Sequence, residues 1–160
     1  MEKQLAIGMW VAAFLLVVTA NVAPWLMGRL CHSRFAYPLD CNLHWADGTR
    51  VLGNHKTWRG VIAALLGCCI AGQFIGIGFL VGTEFGALAM LGDALSSAIK
   101  RRMRLAPGSE VFGIDQLPEA ILPLSVFAPS LHLSWIGVVV VTIGFMTLDM
   151  MSERFRRNTQ

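Results

Sequence analysis

Two long, uncharged apolar runs are the feature that most constrains how this chain can fold. They extend from Leu5 to Met27 and from Gly60 to Gly82. As helices rising about 1.5 Å per residue, each could cross roughly 30 Å of hydrocarbon. Charged residues make up only 14% of the chain, against about 25% in a typical soluble domain. The sequence therefore predicts an integral membrane protein.

Three further apolar segments complete the series. Glu84–Ile99 is shorter and contains Asp93, Leu117–Leu131 contains three prolines, and Leu133–Met151 carries Asp149 near its end. Each segment is compatible with a membrane-spanning helix, and together with the first two they give five. We predict an all-α integral membrane protein with five transmembrane helices.

The basic residues predict how these helices are oriented. Twelve of the thirteen Lys and Arg residues lie between the first and second helices, between the third and fourth, or after the fifth. With five spans, all three groups fall on one face, which the positive-inside rule assigns to the cytoplasm. We expect the N-terminus outside, the C-terminus in the cytoplasm, and a multi-pass location in the cytoplasmic (inner) membrane of the cell. The chain would form one domain over residues 1–160, with cytoplasmic loops at 28–59 and 100–116.

The first apolar run could alternatively be a cleaved signal peptide. Val18-Thr19-Ala20 supplies small residues suited to cleavage, but the run stays apolar to Met27 and the first four residues carry no excess of positive charge. Cleavage would also leave four spans to account for the distribution of charge. A transmembrane helix is favoured.

A basic segment, Gly53–Gly60, precedes the second helix and contains Lys56, Thr57 and Arg59. Backbone N–H groups at a helix N-terminus, together with the helix dipole, favour an anionic ligand there. The same residues also suit a membrane-surface anchor, with Trp58 at the interface. Composition alone favours the anchor.

The third helix carries a polar stripe. At 100° per residue one face presents a carboxylate, a hydroxyl and two cations: Asp93, Ser97, Lys100 and Arg101. A carboxylate inside a transmembrane segment is costly and is a functional-site candidate by default. A carboxylate suits Mg²⁺ and the cations suit phosphate oxygens, whereas the alternative is a structural ion pair. We favour the functional interpretation.

A third polar cluster enters the fourth helix. Asp115 and Glu119 are four residues apart and could share a helix face, where paired carboxylates can bind a divalent cation. Pro118 and acids in the first turn are also ordinary helix-start signals, so the two interpretations are equally supported. All three clusters lie at the same face, and their acids and bases together suit nucleotidyl or phosphoryl transfer.

These motifs resemble those of the CDP-archaeol synthase family. The first cytoplasmic loop is similar in Asp47–Gly53 and in Lys56-Thr57-Trp58-Arg59-Gly60, and the second in Gly92-Asp93, Ser97, Lys100-Arg101-Arg102 and Asp115-Gln116. Further similar residues are Asn21, Pro24, Pro38 and Asp40. The resemblance covers most of the chain, from the end of the first helix to the start of the fourth. Its Gly-Asp, Ser and Lys-Arg pattern is also similar to the C-terminal signature of bacterial phosphatidate cytidylyltransferases.

The resemblance implies transfer of CMP from CTP to the phosphate of a membrane lipid, with Mg²⁺ and with release of pyrophosphate. The lipid would be phosphatidate or a dialkylglycerol phosphate. The implied catalytic residues are Asp93, Asp115, Lys100 and Arg101, and the implied metal ligands are Asp93, Asp115 and Glu119. Substrate would be bound by Lys56, Thr57, Arg59, Ser97, Arg102 and Arg50. The expected partners are CTP, the lipid phosphate and the bilayer, with no nucleic acid; a homo-oligomer is left open.

The chain departs from the family pattern at two places. The family commonly has a second acid three residues after the Asp of Asp-Gln, where this chain has Pro118 and then Glu119. The family also usually has Gly-Asp-Gly before the Lys-Thr-Trp-Arg motif, and Asn54 and His55 stand there instead. Glu119 is the expected substitute for the missing acid.

Two other functions compete. Asp47-Gly48-Thr49-Arg50 is similar to the start of the CDP-alcohol phosphotransferase signature, but the later paired aspartates are absent from Val51 to Val81. A non-catalytic membrane protein could instead bind anionic lipids through its basic face. In that protein the basic residues would matter collectively, and Asp93 and Asp115 individually would not.

Overall fold

The computed structural model describes the backbone of residues 2–106, 109 and 111–158. It contains five helices: α1 (Glu2–Cys31), α2 (Trp58–Ile75), α3 (Phe79–Arg102), α4 (Gln116–Phe127) and α5 (Trp135–Asn158). The prediction of an all-α protein with five helices is confirmed. Within the described ranges, α1, α2, α3 and α5 are long and apolar enough to cross a membrane.

The fourth helix is shorter than a membrane span requires. Its 12 residues rise about 18 Å, less than the roughly 30 Å hydrocarbon core. Pro129 contributes to its end, because a proline has no backbone N–H to donate to the carbonyl oxygen of Ser125. The chain continues as turns in which Leu131 and Leu133 are buried against the helices. Irregular backbone is tolerated at membrane depth when protein encloses it.

The helices pack in sequence order around one apolar core. Each helix contacts the next, and α5 returns to α1. The largest fully buried side chains of this core are Phe85, Leu16, Leu124 and Leu131. The α2–α3 hairpin is especially close, because a Cβ on Gly82 would lie 2.2 Å from the carbonyl oxygen of Cys68. Such small-residue contacts are typical of helices packed in a bilayer.

The charged segments gather at one end of the bundle. The loop of residues 32–57 joins α1 to α2, and residues 103–115 join α3 to α4. An ion pair between Asp47 and Arg102 links the two loops, and Gln116 at the start of α4 bonds to Asp149 near the end of α5. The side chains of Lys3, Arg156 and Arg157 lie outside the described residues. The assignment of this end to the cytoplasm stays a prediction.

Candidate active site

A cavity of about 680 Å³ opens at the charged end of the bundle. All five helices and the loop of residues 32–57 contribute to its wall. Four carboxylates line it, those of Asp93, Asp115, Glu119 and Asp149, and so do five cations, those of Arg29, Lys56, Arg59, Lys100 and Arg101. Four acids and five bases, set among apolar helices, suit a ligand that is itself highly charged.

The loop of residues 32–57 is folded around one buried carboxylate, Asp40. Its oxygens accept hydrogen bonds from the Arg50 guanidinium and from the backbone N–H groups of Asn42, Leu52 and Gly53. Burial raises the pKa of Asp40, but these hydrogen bonds outweigh it and hold the pKa below the ordinary value of 3.8. The loop therefore has its own internal anchor.

Replacing Asp40 by Asn should open this loop. The variant should expose Arg50 to trypsin at neutral pH, whereas Glu84→Gln, at an exposed carboxylate outside the loop, should leave cleavage unchanged. In the wild type, the stabilisation from Asp40 is complete above pH 3.8 and is lost as the pH falls through the lower folded pKa. Hydrogen exchange at the Leu52 and Gly53 amides, corrected for intrinsic rates, measures this loss. Equal protection in wild type and Asp40→Asn would contradict this role.

The end of the loop delivers Lys56 to the cavity. Thr57 follows it as the N-cap of α2, and its hydroxyl oxygen accepts a hydrogen bond from the Gly60 N–H at 3.3 Å. Arg59 donates to the carbonyl oxygens of His32 and Arg34 at 2.9 and 2.6 Å, which ties the start of the loop to α2. The Lys56 ammonium pairs with Asp93 on α3. Lys56, Thr57 and Arg59 of the basic segment thus lie in the cavity wall, where the family resemblance expects substrate-binding residues.

The last three turns of α3 carry the polar stripe predicted from the sequence. Ser97, Lys100 and Arg101 are buried and line the cavity together with Asp93. The Lys100 ammonium donates to the Ser109 carbonyl at 3.0 Å, and it lies beside Oδ1 of Asp115 without hydrogen-bond geometry. Arg101 donates one bond to the Ala106 carbonyl, and its buried Nε has no partner in the described residues. Arg101 therefore retains a donor for a ligand.

The start of α4 brings three polar side chains to the same cavity. Asp115 accepts a hydrogen bond from the Val111 N–H at 3.0 Å, and Gln116 donates to Asp149 at 3.0 Å. Glu119, 8% exposed, lies close enough to Asp93 for the two carboxyl groups to interact. Asp115 and Glu119 both line the cavity, as their four-residue spacing predicts. Pro118 is not part of the cavity wall.

Asp93 and Glu119 are the carboxylates best placed to share a cation. The described residues contain no group of three or more His, Cys, Asp or Glu side chains arranged to hold a metal ion by themselves. Mg²⁺, however, is commonly bound by one or two carboxylates together with substrate phosphates. The two adjacent carboxylates fit that donor set. Both belong to the predicted set of metal ligands, Asp93, Asp115 and Glu119, whereas the third member, Asp115, faces Lys100.

Two of the predicted substrate-binding residues lie away from the cavity wall. Arg50 pairs with Asp40 and also contacts Asn54, so its charge is used inside the loop. Arg102 is 61% exposed and stacks on Trp45, with its carbon Cζ 5.3 Å from the ring centroid. The other predicted site residues all line the cavity: Asp93, Asp115, Lys100, Arg101, Lys56, Thr57, Arg59, Ser97 and Glu119.

Sequence reasoning did not select two residues that the structure adds to the site. Asp149 was recognised only as a polar residue near the end of the fifth run, yet it lines the cavity. An acid inside an apolar span is the signal that could have found it. Arg29 was read only as one positive charge among many, and its basic side chain at the end of α1 gave no sign that it faces the site.

The fold and the cavity define a membrane-embedded protein with a polar site, suited to phosphate groups, at one end of its helix bundle. Residues 9–83 match the family model described as CarS-like, CDP-archaeol synthase. The CDP-archaeol synthase of Pyrococcus furiosus is 31% identical over 134 residues, which are 78% of this chain and 76% of that protein. The synthase of Thermococcus kodakarensis is 35% identical over 130 residues, 72% of this chain and 70% of that protein. The chain belongs to the CDP-archaeol synthase family, and the resemblance seen in its motifs is confirmed.

Two further comparisons cover different shares of the matched proteins. The CDP-archaeol synthase of Thermofilum pendens is 34% identical over 103 residues, but the match spans only 50% of that protein and 61% of this chain. A solved structure of an intramembrane enzyme for archaeal membrane lipid biosynthesis superposes with a TM-score of 0.76 at 22% identity. It covers 89% of this chain and 91% of the solved chain. At that identity the match establishes the fold.

Proposed function

We propose that this chain is a CTP-dependent cytidylyltransferase that converts a membrane lipid phosphate to a CDP-lipid and releases pyrophosphate. The observation that carries this proposal is the single cavity wall in which Asp93 and Glu119 lie side by side among Lys56, Lys100 and Arg101. Nucleotidyl transfer needs little more than positioning and neutralisation of charge, and these side chains supply both. Membership of the CDP-archaeol synthase family supports CTP as the donor. Phosphatidate and dialkylglycerol phosphate are the candidate acceptors.

The present ion pairs indicate how the site accepts its substrates. Lys56 is paired with Asp93, and Lys100 with Asp115. Both lysines of the cavity wall are therefore neutralised by an acid. A triphosphate that arrives with a divalent cation can separate Lys56 from Asp93, because the phosphate oxygens attract the lysine and the cation attracts the carboxylate. The site remains close to neutral before and after binding, which limits the cost of burying these charges.

Mg²⁺ is the metal that we propose for this site, and Asp93 and Glu119 would hold it. When bound, it would neutralise charge on the triphosphate and on the departing pyrophosphate. Asp115 would then orient Lys100, and Asp149 would orient Gln116 through their hydrogen bond. The buried Arg101, whose Nε has no partner in the described residues, would bind phosphate oxygens in the cavity.

The chain's own residues can account for the chemical step. An oxygen of the lipid phosphate attacks the α-phosphorus of CTP, and the bond from that phosphorus to the bridging oxygen of the β-phosphate breaks. Pyrophosphate leaves with the bonding electrons. The attacking oxygen is already anionic, so no strong general base is needed. Lys56, Lys100 and Arg101 stabilise the charge that develops on the phosphate oxygens, as preorganised donors do in other transferases.

We place this active site at the cytoplasmic face of the cytoplasmic membrane. The positive-inside rule supports this face, because both loops at the cavity end are rich in Lys and Arg. The same face would give the site access to CTP, while the surrounding helices stay in contact with the lipid acceptor. Arg102, at the rim, would help to attract the anionic substrates. Arg50 would act from within the loop, by holding its fold through Asp40.

Release of pyrophosphate tests the proposed reaction and its need for a metal ion. Purified protein in nanodiscs should release pyrophosphate only when CTP, Mg²⁺ and a lipid phosphate are all present. EDTA should abolish release, and excess Mg²⁺ should restore it. The panel of acceptors comprises phosphatidate, dialkylglycerol phosphate and the neutral diacylglycerol as a control. Release that persists without a lipid phosphate, or in EDTA, would contradict the proposal.

A further inference from the structure

A second cavity lies in the outer face of the bundle, between α1 and α5. It has a volume of about 360 Å³, and most of its wall is apolar. Val18, Val22 and Trp25 contribute from α1, and Phe145 and Leu148 from α5. Val22 and Leu148 are 47% and 43% exposed. The cavity is therefore a groove that faces the hydrocarbon of the bilayer, and we call it the α1–α5 groove.

The α1–α5 groove lies toward the charged end of the contact between the two helices. Away from the charged end, glycines on α5 let the helices approach closely: a Cβ on Gly137 would lie 3.2 Å from Trp10, and one on Gly144 would lie 3.5 Å from Phe14. Toward the charged end the facing residues on α5 are larger, beginning with Phe145. The groove occupies this second half of the contact and leads toward the polar cavity.

The groove and the polar cavity are adjacent. Three residues line both of them: Asn21, Trp25 and Asp149. Arg29, one helical turn after Trp25, lines the polar cavity, and its guanidinium carbon lies 5.1 Å from the centroid of the Trp25 ring. An arginine held over an aromatic ring keeps its N–H donors free for an anion. The junction of the two cavities therefore presents a cation directly beside an apolar channel.

We propose that the α1–α5 groove holds the hydrocarbon chains of the lipid phosphate substrate, and that Arg29 binds its phosphate as the headgroup enters the polar cavity. This inference rests on the proposed function, because it assigns the acceptor side of that reaction. A lipid phosphate must keep its chains in hydrocarbon while its phosphate reaches Lys and Arg side chains. Exposing the chains to water, or burying the phosphate charge in hydrocarbon, would cost free energy. A lipid-facing groove adjacent to the polar cavity meets both requirements. CTP would enter the polar cavity from the loop end.

Filling the groove tests this assignment kinetically. Val22→Trp and Leu148→Trp should raise the KM for a long-chain lipid phosphate by about tenfold, with the KM for CTP unchanged. Turnover of a short-chain, water-soluble analogue should also be unchanged, because its chains need no groove. Val11→Trp and Ile143→Trp are the matched controls, since they place the same bulk at exposed positions on the same helices outside the groove. Equal effects from both sets, or a shift in the KM for CTP, would overturn the assignment.

Photolabelling tests the groove without any turnover. A phosphatidate that carries a diazirine in one chain should label peptides of α1 and α5 around Val22 and Leu148. An excess of phosphatidate should compete with this labelling, and diacylglycerol should not. Val22→Trp should abolish it and Val11→Trp should not. Labelling spread evenly over the exposed helix faces would contradict the proposal that the α1–α5 groove holds the hydrocarbon chains. Labelled wild-type protein that makes no CDP-lipid would instead overturn only the proposed function.

Arg29 has its own test, because its role is to bind phosphate. Arg29→Ala should raise the KM for the lipid phosphate by about tenfold, the loss expected for a charge-assisted hydrogen bond, and Arg29→Lys should recover part of it. Arg154→Ala is the control, because Arg154 is an exposed arginine on α5 toward the same end. An equal effect at Arg154 would show general attraction of anionic lipid to the basic face and would contradict the specific role of Arg29.

Discussion

Asp93→Asn should lower kcat by roughly 10²–10³-fold, the loss typical of removing one preorganised charged group from an active site. Asp93 contacts both Lys56 and Glu119, so the substitution removes a proposed metal ligand and frees a lysine from its partner. Asparagine keeps the shape of the side chain and can still accept a hydrogen bond from Lys56. The fold should therefore persist. Steady-state formation of CDP-lipid measures the effect.

Glu84→Gln is the matched control for this variant. Glu84 is an exposed acid on the same helix α3, outside the cavity wall, and its substitution should leave kcat within about twofold, as expected for a surface change. A metal role also predicts that Asp93→Asn needs more Mg²⁺ for half-maximal activity. Wild-type turnover in Asp93→Asn would show that Asp93 is not a catalytic residue. A low kcat with an unaltered Mg²⁺ requirement would contradict only its proposed role as a metal ligand.

Gly92→Ala should be strongly destabilising although it adds a single methyl group. A Cβ at this position would lie 2.2 Å from the carbonyl oxygen of Pro118 and 2.8 Å from the backbone nitrogen of Glu119. Helices α3 and α4 would have to separate, at a cost of about 1–3 kcal/mol or more. The separation should also pull Glu119 away from Asp93 and so abolish activity. Thermal unfolding in detergent and the CDP-lipid assay measure the two effects.

Gly8→Ala provides the control for this contact. A Cβ on Gly8 would meet nothing within 4 Å, and alanine is the better helix former by about 1 kcal/mol. This variant should be as stable as the wild type or slightly more so. If Gly92→Ala unfolded at the wild-type temperature with full activity, the close approach of α3 and α4 would be contradicted.

Much of the architecture could be predicted from the sequence, because a membrane restricts the choices. Uncharged runs of helical length identify the spans, and the clustering of basic residues predicts which helix ends lie together. The stripe from Asp93 to Arg101 is found in the cavity wall, since a helix fixes the relative directions of side chains three and four residues apart. The spacing of Asp115 and Glu119 works in the same way.

Contacts between elements could not be predicted with the same reasoning. Arg50 is a residue type that commonly binds phosphate. Its pairing with Asp40 instead depends on how the loop of residues 32–57 folds back on itself. The pairing of Asp93 with Glu119, rather than with Asp115, depends on how closely Gly92 lets α4 approach. Those distances follow from packing between helices, which sequence periodicity does not encode.

The central claim is transfer of a nucleotidyl group to a lipid phosphate, and the position of the label in CTP tests it most directly. Purified protein receives Mg²⁺, phosphatidate or dialkylglycerol phosphate, and CTP labelled with ³²P at either the α- or the γ-phosphate. We predict that label from the α-phosphate enters the extracted lipid and that label from the γ-phosphate appears only in pyrophosphate. Label from the γ-phosphate in the lipid, or no label in the lipid from either CTP, would contradict the account.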